Sequence, residues 1–105
     1  MDTVSNYTET LEKTVRDLLE RQDDLIRTAF TDQLTGLGNR GGFARSLEEL
    51  WEQDAPVTMA FIDIDNLKHC NDVFGHDEGN RYILQVSLYL KLYMKADEAA
   101  FRIGG

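Results

Sequence analysis

A chain of 105 residues and 12.0 kDa has room for one small hydrophobic core, which excludes a self-contained multidomain enzyme. Its 42% hydrophobic and 29% charged residues, with a single proline, exclude a disordered or collagen-like chain. Eleven basic against 19 acidic residues leave a net charge of −8, which opposes non-specific binding to nucleic acid or to an anionic membrane surface and makes any polyanionic ligand depend on a local metal or basic group.

The amino terminus, MDTVSNYTETLEK, has neither the charged start nor the apolar core of a signal peptide, and no run reaches membrane-spanning length, so a cytoplasmic chain without a membrane segment is expected. The one cysteine, Cys70, agrees with a reducing compartment, because it has no partner for an intrachain disulfide, a zinc site or a redox pair. Residues 3–29 contain neither Gly nor Pro, and Val4, Leu11, Leu18 and Leu25 recur every seven residues, a spacing that predicts one long helix. Tyr7, Thr14, Arg21 and Thr28 make a poor companion seam, while Val15, Leu19, Ile26 and Ala29 widen the apolar face. The pattern fits equally an amphipathic helix packed on its own domain and a parallel coiled-coil homodimer through residues 3–29.

TDQLTGLGNRGG, with four glycines in twelve residues, breaks this helix and sets a boundary near Phe30, dividing the chain into residues 1–29 and 30–105. Phe43, Leu47, Leu50 and Trp51 then follow helical spacing, and Asp54, Ala55 and Pro56 end that second helix. The apolar run VTMAFI at 57–62, bounded by Pro56 and two aspartates, predicts a strand buried on both faces. A short helix is expected over NLKHCNDVF, then a tight connection from Gly75 to Gly79, then a helix with Ile83, Val86, Leu90 and Met94 on one face that ends near Lys95. AAFRI reads as the start of another strand, with Gly104 and Gly105 as a turn. This order implies an α/β layer structure in which two sequential strands are joined by a helical crossover, too small a sheet to stand by itself.

Asp63 and Asp65 fall two apart at the end of the expected strand, which places both carboxylates on one face, a plausible site for a hard cation such as Mg²⁺. The alternative is that Asp65 caps the next helix and Asp63 is solvated. The amides of Asn66 and Leu67 at that helix start suit a phosphate, and Lys68 adds a charge. His76 reads as a residue making a structural hydrogen bond, and Cys70 as a small buried hydrophobe without a base to activate it.

Four strings, DQLTGLGNR at 32–40, FIDIDNLKHCND at 61–72, GHDEGN at 75–80 and FRIGG at 101–105, resemble in order and spacing the signature segments of the GGDEF family, the diguanylate cyclases. The resemblance covers everything beyond the first helix, which is similar to the signalling helices that often precede such domains. It implies an adenylyl-cyclase-like, ferredoxin-like α+β palm. The implied reaction condenses two GTP into cyclic di-GMP plus pyrophosphate in a dimer, with Mg²⁺ or Mn²⁺. Carried over by motif, Asp63 and the Ile64 carbonyl would hold metal, Asn66, Leu67 and Lys68 would hold phosphates, and Asn71 and position 80 would bind the guanine edge.

Three departures from the family pattern qualify this expectation. The residues after the two glycines, which in the family include a second metal carboxylate and the candidate base, lie beyond Gly105, so no catalytic residue is expected within residues 1–105 and these residues alone are expected to be inactive, short of the central strand of their sheet. Asn80 stands where the family has an aspartate that accepts from guanine, which implies an altered base preference. Lys95 and Glu98 stand where the family has the RxxD product-inhibition motif, and lysine lacks the planar fork of arginine, so weak or absent inhibition is expected there. Two other classes remain open: a degenerate module that binds GTP or cyclic di-GMP without turnover, and a docking or dimerisation fragment whose helix receives an upstream regulatory protein.

Overall fold

The computed structural model describes residues 3–104, with four helices in chain order: α1 (Thr3–Phe30), α2 (Arg40–Gln53), α3 (Leu67–Phe74) and α4 (His76–Tyr93). Gly105, one half of the expected terminal turn, lies outside the described residues. The chain is elongated, 65 × 43 × 21 Å with a radius of gyration of 20.2 Å, against about 13 Å for a compact domain of this length. The helix α1 accounts for this shape. It contains no helix breaker, and every residue from Thr3 to Ala29 is exposed, including Leu11, Leu18 and Leu25. Of the two readings of its heptad, packing on its own domain is therefore overturned: α1 touches the rest of the molecule only at its carboxyl end.

The second helix starts at Arg40, inside the glycine-rich stretch expected to be loop. Asn39 takes extended backbone angles, and its Oδ1 accepts from the Gly42 amide at 2.9 Å, satisfying one of the free donors of the first turn. It ends at Asp54, whose left-handed φ of 50° turns its amide back to the Trp51 carbonyl at 3.2 Å, two residues before Pro56.

The expected buried strand at 57–62 is not one. These residues carry no helix, turn or sheet pairing, and Val57, Met59, Phe61 and Ile62 are exposed at 50, 46, 75 and 65%. A strand exists only through a ladder partner, and no described residue pairs with 57–62; residues 100–102 bond to Gly38. Gly38 donates to the Ala100 carbonyl at 3.2 Å, and Arg102 donates to the Gly38 carbonyl at 2.8 Å, forming a single parallel bridge between Gly38 and Phe101. With an antiparallel bridge between Thr31 and Gly38, this is the whole of the β pairing among the described residues, so the two-strand crossover is replaced by a helical arrangement and the palm sheet is not formed here.

The connection predicted from Gly75 to Gly79 shrinks to Gly75 alone, with φ of 92°, and Gly79 is a buried residue inside α4. The reason is packing: α3 and α4 form a hairpin whose contact surface runs over Gly79. Ile83 and Ser87 continue this buried edge of α4, with Val86 and Leu90 half-buried. The helix stops at Tyr93, two residues before the expected Lys95, and Met94 caps it in an extended conformation.

Candidate functional site

The candidate residues gather on the segment leading into α3 and on the α3–α4 hairpin. Asp63 and Asp65 are exposed and enter no ion pair among the described residues, while Ile64 is half-buried. The cap of α3 is Asn66 rather than Asp65, and it makes no side-chain capping bond. Its φ of 63° is a left-handed conformation sparsely used by side-chain-bearing residues, so this turn stores strain where the phosphate amides were expected. Lys68 is exposed on the first turn of α3 and Leu67 is half-buried. Cys70 is half-buried rather than buried, held by its amide to the Asn66 carbonyl at 2.9 Å. His76 is exposed and makes no hydrogen bond among the described residues, which overturns its assignment as a structural hydrogen-bonding residue.

Asn71 lies against α4. A Cβ at Gly79 would sit 1.6 Å from Asn71 Oδ1, so only glycine lets the carboxamide lie on the α4 backbone. The same Oδ1 is buried and has no hydrogen-bond partner, an uncommon state for a carbonyl acceptor. Asn80, the next residue of α4, is exposed. Asn71 is thus packed on Gly79, while Asn80 faces solvent. The donors available to a cation, the Asp63 carboxylate and the Ile64 carbonyl, are both oxygens and fit a hard ion such as Mg²⁺, which takes one or two carboxylates and completes its shell with water and phosphate oxygens. No cluster of three or more His, Cys, Asp or Glu forms among the described residues.

Lys95 and Glu98 form a self-contained turn. The Lys95 amide donates to Glu98 Oε1 at 2.8 Å, and the Glu98 amide donates to the Lys95 carbonyl at 3.0 Å. The glutamate carboxylate is thereby folded onto the chain it belongs to.

A further cluster, to which the sequence reading assigned no role, surrounds the loop 31–39. Asp32 Oδ2 accepts from the Thr35 amide at 2.9 Å and from the Thr35 hydroxyl at 2.7 Å, and Arg102 donates to both carboxylate oxygens at 3.2 and 3.3 Å. Burial pushes the Asp32 carboxyl up, but the Thr35 bonds and the Arg102 charge outweigh it and hold the group below its ordinary value. Lys91 of α4 donates to the Thr35 carbonyl. An aspartate followed three residues later by threonine is a turn signature that the sequence does carry; its partner Arg102, 70 residues away, is not.

These features belong to a mainly helical arrangement at the carboxyl end of a long exposed helix. The model of the GGDEF domain, described as diguanylate cyclase, matches residues 29–105, and the chain belongs to that family. It is 37% identical over 98 residues to the diguanylate cyclase DgcP of Escherichia coli, covering 90% of this chain and 29% of that protein. It is 38% identical over 87 residues to the response regulator PleD of Caulobacter vibrioides, covering 79% of this chain and 19% of that protein. The chain thus spans less than a third of the curated relatives it matches. The crystal structure of the coiled coil and GGDEF domain of DgcB from Caulobacter crescentus, in complex with c-di-GMP, superposes with a TM-score of 0.86 at 30% identity, over 99% of this chain and 56% of that one. Among the described residues no helix is long and apolar enough to cross a membrane.

Proposed function

We propose that the chain, a signalling helix followed by the first part of a GGDEF domain, belongs to a cytoplasmic diguanylate cyclase that turns two GTP into cyclic di-GMP. In this reaction the 3′-hydroxyl of each GTP attacks the α-phosphate of the other. Two phosphodiester bonds form, two bonds to the β-phosphates break, and two pyrophosphates leave. Family membership and the curated cyclases among the relatives support the reaction class. The observation that carries the reading is the match of residues 29–105 to the GGDEF family; the Asn71 side chain itself is packed on the α4 backbone at Gly79.

In this reading Asp63 and the Ile64 carbonyl hold Mg²⁺ or Mn²⁺, which when bound offsets polyphosphate charge that a chain of net charge −8 cannot offset alone. Asn66 and Leu67 present backbone amides at the start of α3, Lys68 adds a positive charge to the phosphates, and Asn71 with Asn80 reads the base. No residue within 1–105 is assigned as base for the hydroxyl proton. The exposed apolar stripe of α1 supports a homodimer through residues 3–29, which brings two GTP sites face to face and offers an upstream regulatory protein a helix to act on. A bound cyclic dinucleotide in the DgcB neighbour supports the ligand class.

The test is incubation of the complete cyclase that contains residues 1–105 with GTP and Mg²⁺, with product separated and weighed by mass spectrometry. Cyclic di-GMP from the wild type and none from Asp63→Ala is expected. GTP binding without product would replace this reading with a nucleotide-binding module.

A further inference from the structure

Helix α1 is exposed from Thr3 to Ala29 and packs on α2 near its carboxyl end, where the carbonyls of residues 29–31 accept hydrogen bonds, so a displacement of α1 enters the domain through this joint. Asn39 receives it. Its Nδ2 donates to the Ala29 carbonyl at 3.0 Å and to the Thr31 carbonyl at 3.5 Å, and its backbone amide donates to the Phe30 carbonyl at 3.0 Å. The Arg45 guanidinium of α2 lies 4.8 Å over the Phe30 ring, closing the same joint from the side. The residues on either side of Asn39 face the other way. Gly38 is bridged on both its backbone groups to Ala100 and Arg102, and Arg40 donates to the Ile103 carbonyl from Nε at 3.4 Å and from its terminal nitrogen at 3.1 Å. The Asp32–Arg102 pair, with side chains only 18 and 24% exposed, fixes the same segment from a third direction.

We propose that Gly38, Asn39 and Arg40 form a clamp carrying displacements of α1 to the backbone of residues 101–104, and that Arg40 is a positioning residue for the two glycines. Three consecutive residues hold both ends, leaving no slack in which a movement could be lost. This rests on the cyclase reading in one respect: the segment after Ile103 must matter to turnover. The clamp itself does not depend on that reading.

Arg40 suits a test because its side chain is exposed and water can satisfy the carbonyl it leaves. In the complete cyclase, Arg40→Ala is expected to keep the wild-type melting temperature within a few degrees, to speed hydrogen exchange at the Arg102 amide that donates to Gly38, and to lower turnover by about tenfold or more at unchanged KM for GTP. Arg40→Lys, which keeps a donor, recovers most of the turnover. Asn39→Ala, which removes the bonds to residues 29 and 31 and also the α2 cap on the Gly42 amide, is expected to speed exchange at the Arg102 amide by more than its loss of overall stability does. Unchanged exchange there in either variant overturns the clamp, and so does Arg40→Ala with wild-type turnover. If the wild type makes no cyclic dinucleotide, the cyclase reading fails while the exchange data still decide whether the clamp exists. Coupling seen by exchange in both variants is the evidence that spatial adjacency alone does not supply.

Discussion

The backbone of Gly38 runs directly under the ring of Phe101: a Cβ at residue 38 would lie 2.3 Å from Phe101 Cδ1, well inside any real carbon–carbon contact. Phe101 in turn meets the Phe43 ring edge-on at 5.6 Å and 61°, so the ring cannot move aside without losing its contact with α2. Gly38→Ala should therefore destabilise the chain by about 1–3 kcal/mol through overpacking. Chemical denaturation checks this, and an unchanged midpoint would show that Phe101 repacks freely.

Gly79 makes the sign of a second substitution a contest between two effects. In a helix interior, glycine to alanine ordinarily gains about 1 kcal/mol. Here the new methyl would meet Asn71 Oδ1 at 1.6 Å, and prising the α3–α4 hairpin apart costs more than that. Gly79→Ala is expected to be destabilising alone and stabilising once Asn71→Ala removes the obstacle. A double-mutant cycle by thermal or urea unfolding reads the reversal.

The lowered pKa of Asp32 predicts an acid-sensitive joint. The unfolded chain, with an aspartate pKa of about 3.9, takes up this proton before the folded one does as the pH falls. The stabilisation from Asp32 is therefore full above that value and drains away as pH falls through the lower folded pKa. The difference in unfolding free energy between wild type and Asp32→Asn should be constant near neutrality and shrink at acid pH. A difference that grows on acidification would contradict the direction of the shift.

Asn80 bears on base choice. A carboxamide presents a donor where a carboxylate would present a second acceptor, a mismatch of about 1–3 kcal/mol toward guanine if it stays buried in the complex. Restoring the acid with Asn80→Asp is expected to raise the preference for GTP over ATP by roughly ten- to a hundredfold, since each 1.4 kcal/mol is a factor of ten. Competition binding with the two nucleotides measures it, and equal selectivity in both proteins would sink the idea.

The Lys95–Glu98 turn predicts what the product will not do. Glu98 is occupied by the Lys95 amide, and Lys95 has no planar fork to grip a guanine or phosphate on two atoms. Cyclic di-GMP at low micromolar concentration should leave initial rates of the complete cyclase unchanged, and Lys95→Ala should make no difference. Sub-micromolar inhibition abolished by that variant would reverse the conclusion.

The length of α1, the stop of α2 before Pro56, and α3 over 67–74 could all be read from the chain, because each depends on residues within a turn or two of one another. What the local pattern could not decide was every question of partners. VTMAFI has the composition of a buried strand, yet strands are made by their neighbours, and residues 100–102 are bonded to Gly38 instead. Gly79 has the composition of a turn, but the close approach of Asn71 holds it inside a helix. Asp32 and Arg102 are 70 residues apart, and no periodicity links them. Those helix boundaries are decided by short-range backbone preference, so the sequence alone determined them; strand pairing, helix contact and the joint at Asn39 depend on which surfaces meet, which only the tertiary structure decided.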